Sequence, residues 1–376
     1  MPDRLYQICT KSVMDTIADP DITFDENGVC NYYQDHQQRA KLRLFQDDPA
    51  HLERILEKIR KAGKNRDYDC LIGVSGGVDS TYVAYLTKKW GLRPLAVHLD
   101  NGWNSELSVK NIEKTLNKLG IDLYTHVLDW EEFKAMQIAF LQSSTPDLEI
   151  PTDHAIYSLL FKIAAEKNIK FIIYGNNFAS ESILPESWSY GHLDWFYIKN
   201  IVKRFAPNLR LRNYPNLTIP KFFYYNMVRG IRIVSVLNYI HYKKEEAMKV
   251  LIDELGWQYY GGKHFESIYT RFFQGYILPT KFHIDKRKAH LSALIFSGQI
   301  TREEAIKELE KPPYPANMQK EDMDYVIKKF NLSVDEFTQI MTLPNKTFRD
   351  YPNQRNLFRA IRRVLNGLRG EKLFYS

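Results

Sequence analysis

Four short apolar runs without helical period punctuate the first half of the chain: Cys70 to Val74, Pro94 to His98, Leu123 to Leu128 and Lys170 to Tyr174. Such runs predict strands of a buried parallel sheet. The intervening stretches carry apolar residues at helical spacing. Leu52 to Ala62 predicts a basic amphipathic helix leading into the first strand, Tyr82, Val83, Tyr85 and Leu86 form a second stripe, and further helices are predicted from about Leu107 to Leu119 and from Asp153 to Lys167. This alternation implies right-handed crossovers and an α/β, doubly wound parallel sheet, which binds ligands beyond the carboxyl ends of its strands. From about Trp188 the rhythm breaks, and the chain becomes aromatic, basic and interrupted by Pro207, Pro215 and Pro220. The expected organisation is an N-terminal lobe over 1–50, the α/β domain over 51–187 and a mainly helical substrate- or partner-binding region over 188–376. Within the last, Thr301 followed by Glu304 predicts a capping box.

The most chemical stretch joins the first strand to the next helix: Ser75-Gly76-Gly77-Val78-Asp79-Ser80. Two glycines let several backbone N–H groups turn toward one point, and the helix adds its positive end, making an anion cradle. Ser75 and Ser80 can donate to phosphate. Asp79 is repelled by phosphate, and a carboxylate in that place implies an intervening Mg2+. Asp100 and Asn101 end the second strand, with turn chemistry and nucleotide contact both open to them. Gly175, Asn176, Asn177 and Glu181 follow the fourth strand, where Gly175 permits close backbone approach and the polar groups offer hydrogen bonds, metal coordination or a helix cap.

Further on, Gly256 to Ser267 packs glycine, aromatic and ionisable residues too densely for a plain helix face and predicts a binding loop. The cluster Lys281, His283, Asp285, Lys286, Arg287 and Lys288 suits polyphosphate neutralisation. Near the N-terminus, Cys9 and Cys30 echo a zinc ribbon, but Ser12 and Tyr33 hold the places of the second thiolates, so no zinc is expected. Three cysteines in 376 residues are too few for a secreted disulfide framework and suit a cytoplasmic protein. The N-terminus lacks a signal pattern, and no apolar run reaches the length of a membrane span, Arg229 and Arg232 interrupting Phe222 to Ile240. A net charge of +7 fits an anionic substrate and is weak evidence for nucleic acid.

The hexapeptide resembles the SGGxDS pyrophosphate loop of the N-type ATP pyrophosphatases, also called the PP-loop superfamily, which cleave ATP between its α and β phosphates. Together with Val13 to Thr16, Asp25 to Cys30, Trp257 to Ser267 and Lys281 to Ser292, it resembles the N-acetyl sugar amidotransferase family of lipopolysaccharide O-antigen synthesis. Tyr260 to Ser267 and Lys286 to Ser292 are the more specific parts. The chain departs from that family's N-terminal CxxC pairs at Ser12 and Tyr33. The resemblance implies a sheet of the adenine nucleotide α-hydrolase (HUP-like) type, and ATP and Mg2+ as cofactors. It also implies conversion of an acetamido group on a nucleotide-activated sugar to an acetamidino group through an O-adenylyl imidate, with release of AMP and pyrophosphate. Ser75, Gly76, Gly77, Val78 and Ser80 would hold pyrophosphate and Asp79 the metal, with Asp100, Gly175 and Asn176 beside the nucleotide. Lys281, Lys286 and Arg287 would offset developing charge, and Glu266 or His264 would steer a proton. No glutaminase nucleophile is evident, because Cys70 lies in a strand and Cys9 and Cys30 lack an elbow pattern, so ammonia is expected from a separate glutaminase resembling the paired subunits of imidazole glycerol phosphate synthase.

Two other readings share parts of these features. A tRNA thiolase would use the same ATP chemistry but needs persulfide-carrying thiols and a nucleic-acid surface. A non-catalytic nucleotide-binding regulator would need neither Asp79 nor a second pocket.

Overall fold

The computed structural model describes residues 5–41, 48–262 and 265–369. Five parallel strands form one sheet in the order β3-β2-β1-β4-β5, with β1 at Cys70–Gly73, β2 at Pro94–Asp100, β3 at Asp122–Val127, β4 at Phe171–Ile173 and β5 at Arg232–Val234. Helices α1 (Asn31–Ala40) and α2 (Pro49–Gly63) precede the sheet, and α3 (Val78–Lys89), α4 (Glu106–Leu119), α5 (Trp130–Ser143) and α6 (Ile150–Glu166) lie in the crossovers. Chain order moves outward from β1 to β2 and β3, then returns to the other side of β1 for β4 and β5. The reversal leaves a crevice between the carboxyl ends of β1 and β4, the place where open α/β sheets bind ligands.

The alternation of side chains along each strand divides the core in two. Cys70, Ile72, Ala96 and Ile173 face a cluster with Leu56 and Ile59 of α2, Val83 and Ala84 of α3, and Ile112 and Leu116 of α4. Leu71, Leu95, Val97 and Ile172 face the opposite cluster, with Phe133 and Met136 of α5 and Leu159, Leu160 and Ile163 of α6. Both faces are therefore covered, which is why the strands read as continuous apolar runs. The edge strand β3 is the exception, with Val127 66 % exposed.

β5 lies beyond residue 187, so the sheet crosses the expected domain boundary and draws its last strand from the region read as mainly helical. That region otherwise contributes helices, including Arg287–Phe296, Arg302–Leu309, Ala316–Phe330 and Val334–Thr342. The Thr301–Glu304 capping box is formed in both directions. No described helix is long and apolar enough to cross a membrane.

In the N-terminal lobe Cys9, Ser12 and Cys30 are brought together as a ribbon knuckle would bring its ligands. Lys11 and Cys30 donate their backbone N–H to Cys9 Sγ at 3.4 and 3.3 Å, and Ser12 Oγ lies 3.7 Å from Cys30 Sγ. The hydrogen bond from Cys30 lowers the Cys9 thiol below its ordinary range and raises that of Cys30. His36 turns away: its Nδ1 meets Ser182 Oγ at 2.9 Å and its ring stacks on Phe178.

Candidate active site

β1 ends at Gly73, and Val74 N–H still donates to Val97 O at 3.0 Å before the chain leaves the sheet. The turn that follows needs glycine. Gly76 has φ +79°, and a Cβ there would stand 2.6 Å from the backbone oxygen of Ser108 on α4. Gly77 is the N-cap of α3 and offers no side chain to cap it, so the positive end of the helix faces the loop. The two serines tie the loop across its neck: Ser75 N–H donates to Ser80 Oγ at 3.2 Å, Ser80 Oγ donates to Gly77 O at 3.2 Å, and Gly77 N–H donates to Ser75 Oγ at 3.3 Å. Ser75 is exposed and Val78 buried, so the loop presents Ser75 outward while Val78 anchors it in the core.

The far wall of the loop comes from the second region. Trp257 Nε1–H donates to Gly76 O at 3.0 Å, Val78 N–H donates to Tyr260 Oη at 3.3 Å, and a Cβ on Gly77 would lie 3.3 Å from Glu266 Oε1. Residues 266–268 are fixed there by the loop after β2: Ser105 N–H donates to Glu266 O and Ile268 N–H to Trp103 O, both at 2.9 Å. The predicted binding loop thus lies over the phosphate cradle. His264 lies outside the described residues.

Asp79 points into the crevice between β1 and β4. The Tyr242 hydroxyl donates to Asp79 Oδ1, and burial, Asp79 and Glu181 together hold that phenol protonated. Asp79 and Glu181 therefore share one neighbourhood, on the helices that follow β1 and β4. Two carboxylates beside a phosphate cradle are the donor set that Mg2+ takes together with substrate phosphates. Among the described residues no group of three or more His, Cys, Asp or Glu converges as a metal site. Gly175 is close-packed, but against the protein: a Cβ there would meet Ser80 N at 3.2 Å. Asn176 is exposed beside it, while Asn177 caps the short helix Phe178–Glu181 through Ser180 N–H at 2.9 Å. Asp100 accepts from Gly102 N–H at 2.9 Å and Asn101 from Trp103 N–H at 3.1 Å, which is the turn chemistry, one of the two roles open to them.

The cationic cluster disperses. Lys281 is 8 % exposed, and its ammonium donates to the carbonyls of Ile340, Met341 and Leu343 at 3.2, 3.1 and 2.6 Å, closing the C-terminal end of Val334–Thr342. Arg287 pairs with Asp285 at 2.7 Å and donates to Lys311 O at 2.8 Å. Lys288 pairs with the buried Asp15. These contacts give Lys281 and Arg287 a structural task in place of the phosphate role expected of them, because their donors are already directed at carbonyls and a carboxylate. Lys286 acts electrostatically on a second cluster, the carboxyls of Asp147 and Glu149.

That cluster escaped the sequence reading. Asp147 and Glu149 precede α6, and burial raises both carboxyls, Glu149 to about 8 with Asp153 adding to it. Glu149 Oε2 accepts from Thr270 Oγ1 at 2.9 Å, and Thr270 Oγ1 lies 2.9 Å from Ser267 Oγ, one residue from Glu266. Its other oxygen, Oε1, finds no hydrogen-bond partner among the described residues, nor do the neighbouring Tyr269 hydroxyl and His192 Nε2. Orphaned polar atoms gathered in one place are the sign of a site built for something else to complete.

Residues 51–194 match the NAD synthase family, and residues 266–365 match the C-terminal domain of the LPS biosynthesis protein WbpG-like family. The chain pairs a PP-loop domain of NAD synthase type with a WbpG-like C-terminal domain. At family level the pair of domains supports an ATP-utilising, amidotransferase-like enzyme of lipopolysaccharide biosynthesis. An uncharacterized protein of Methanocaldococcus jannaschii is 24 % identical over 74 % of this chain and 84 % of its own length. A glutamine-hydrolyzing GMP synthase of Thermus thermophilus is 42 % identical over 20 % of this chain and 15 % of its own length. A tRNA(Ile)-lysidine synthase of Chlamydia pneumoniae is 27 % identical over 40 % and 45 %. Among solved structures, the NH3-dependent NAD synthetase of Campylobacter jejuni is 18 % identical, covering 54 % of this chain and 82 % of that one at a TM-score of 0.29. The NMN synthetase of Francisella tularensis is 16 % identical over 60 % and 91 %, also at 0.29. The sheet order and the family match, rather than these superpositions, carry the fold assignment.

For Tyr242 and the Asp147–Glu149 pair the sequence offers no motif, since their importance comes from what the fold brings beside them. Tyr260 and Trp257 lay within the predicted binding loop, where their aromatic density was the available signal.

Proposed function

We propose that this protein converts an acetamido group of a nucleotide-activated sugar to an acetamidino group, using ATP and ammonia. The observation that carries the reading is the seating of Trp257, Tyr260 and Glu266 on the phosphate loop, with Glu266 the first residue of the WbpG-like match. In this reaction the amide oxygen attacks the α-phosphorus of ATP, the bond from that phosphorus to the bridging oxygen breaks, and pyrophosphate leaves. Ammonia nitrogen then adds to the imidate carbon, the carbon–oxygen bond to AMP breaks, and a proton is lost.

An amide oxygen is a poor nucleophile, so positioning and charge stabilisation must supply most of the acceleration. The Ser75–Ser80 loop and the first turn of α3 would receive the departing pyrophosphate. Asp79 and Glu181 would hold Mg2+, which when bound neutralises phosphate charge. Glu266, against Gly77, would take the proton lost during ammonia addition, and the Asp147, Glu149 and Lys286 cluster would face the acceptor. Ammonia would come from a separate glutaminase of the kind paired in imidazole glycerol phosphate synthase.

The test is AMP release by the purified chain with ATP, Mg2+ and a panel of UDP- and CMP-linked acetamido sugars, with either ammonium salt at alkaline pH or glutamine. Ammonium should support turnover and glutamine alone should not. Absence of sugar-dependent AMP release across the panel would overturn the substrate assignment, and turnover with glutamine alone would overturn the partner.

A further inference from the structure

A second polar site lies on the outer side of α6, away from the phosphate loop. A cavity of about 220 Å3 is lined by Ser158 and Lys162 of α6 together with Arg212, Asn213, Lys221 and Tyr225. Ser158 is 3 % exposed, lines the cavity, and its Oγ has no hydrogen-bond partner among the described residues. Lys162, Arg212 and Lys221 bring three positive charges to the same lining, and none of them is in an ion pair among the described residues. The Lys221 ammonium donates to Asn216 Oδ1 at 2.9 Å, a neutral acceptor that leaves its charge uncompensated. Glu132 is turned to the backbone, accepting from Arg212 N–H at 2.8 Å and Asn213 N–H at 3.2 Å, so it fixes the loop. The lining is preformed: Tyr214 packs against the stacked rings of His154 and Trp195, with interplanar angles of 5° and 14°, and its hydroxyl donates to Pro151 O.

We propose that this cavity is a binding site for a phosphate-class anion, held by Lys162, Arg212 and Lys221 and by the hydroxyl of Ser158. A guanidinium fork and two ammonium groups suit a tetrahedral oxyanion, and an anion oxygen gives the buried hydroxyl the acceptor it lacks. The volume is below that of a site for a drug-sized ligand, which favours a phosphate or a small phosphate ester over a whole nucleotide. Because the lining is fixed by ring stacking and by Glu132, the site needs little rearrangement to bind.

The probe is inorganic phosphate, titrated calorimetrically into the full chain at constant ionic strength, with the phosphate loop first filled by Mg2+ and α,β-methylene-ATP. Saturable one-to-one binding is expected, weakened at least tenfold in the Lys162→Ala/Arg212→Ala double variant, whose side chains are both exposed and whose loss does not threaten the fold. Ser158→Ala, which removes a buried orphan hydroxyl, should weaken binding several-fold while leaving the melting temperature unchanged or higher. No saturable binding by the wild type, or equal binding by wild type and double variant, would overturn the site.

Discussion

Gly76→Ala separates two demands that the phosphate loop makes on its first glycine. The first is conformational: at φ +79° an L-residue is in the left-handed region, at a cost of about 1–2 kcal/mol. The second is steric, because the new Cβ would stand 2.6 Å from Ser108 O and 3.1 Å from Ser108 Cα, backbone atoms of α4 that cannot rotate away. Gly91 provides the control. Its φ is +70°, and a Cβ there meets nothing within 4 Å, so Gly91→Ala isolates the conformational cost. By urea unfolding, Gly91→Ala should lose about 1–2 kcal/mol and Gly76→Ala about 2–4 kcal/mol, within the range for strain at a special backbone position. The relief route for Gly76→Ala is displacement of the loop, which also carries the carbonyl bonded to Trp257. ATP-dependent AMP release should therefore fall about 100-fold, close to 2.7 kcal/mol of transition-state stabilisation, while Gly91→Ala stays within twofold. Equal stability of the two variants with undiminished turnover in Gly76→Ala would refute the account of the loop.

Asp79→Asn should abolish AMP and pyrophosphate release without unfolding the protein, since it removes a metal-binding charge and exposes no core; normal turnover would exclude Asp79 from the site. Glu149 has its folded pKa raised from an ordinary 4.5 to about 8, so between those values the unfolded chain releases a proton that the folded chain retains, and wild-type stability falls as pH rises. Glu149→Gln lacks that loss, so its stability relative to wild type should climb across this window and level off above about 8, as read by urea midpoints; a pH-independent difference would contradict the raised pKa. Lys281→Met strips three carbonyls of their donor and should cost about 1–3 kcal/mol while leaving the KM for ATP within twofold. A hundredfold loss of turnover at unchanged stability would instead return Lys281 to the catalytic machinery.

Much of the sheet was legible because most of its strands are buried on both faces and read as apolar runs: Cys70–Gly73, Pro94–Asp100 and Phe171–Ile173 fall on predicted segments, and the exposed edge strand Asp122–Val127 overlaps the predicted Leu123 to Leu128. β5 was not, since Arg232–Val234 is three residues long, begins with a charge and follows Gly230, so it carries no periodicity of its own. The helix Trp130–Ser143 also went unread; it is buried along much of its surface, with Phe133, Met136, Ala139 and Phe140 all inside, and its stripe is correspondingly weak. At the site, the Ser75–Ser80 loop was legible because its chemistry is local to six residues. Lys281 and Arg287 were misread for the converse reason: a run of cations has the same composition whether its donors meet phosphate or helix-end carbonyls, and only the fold decides between them.

The placement of Trp257 and Tyr260 explains why the second region belongs to the chemistry rather than beside it. A phosphate loop must keep its backbone amides turned toward the anion, and the carbonyls turned away need partners of their own. Here the Gly76 carbonyl is satisfied by the Trp257 indole, which is 1 % exposed, and the amide of Val78 by the Tyr260 phenol. Trp257 is in turn packed in the core cluster beneath β1 and α3, so it cannot follow a loop that moves without unpacking that core. Ten residues after Trp257, the chain pairs with the loop after β2 through Asn104 and Ser267, and Thr270 continues that contact to Glu149. Trp257 and Tyr260 at one end of this region hold the phosphate loop, and Ser267 and Thr270 at the other meet the loop after β2 and Glu149.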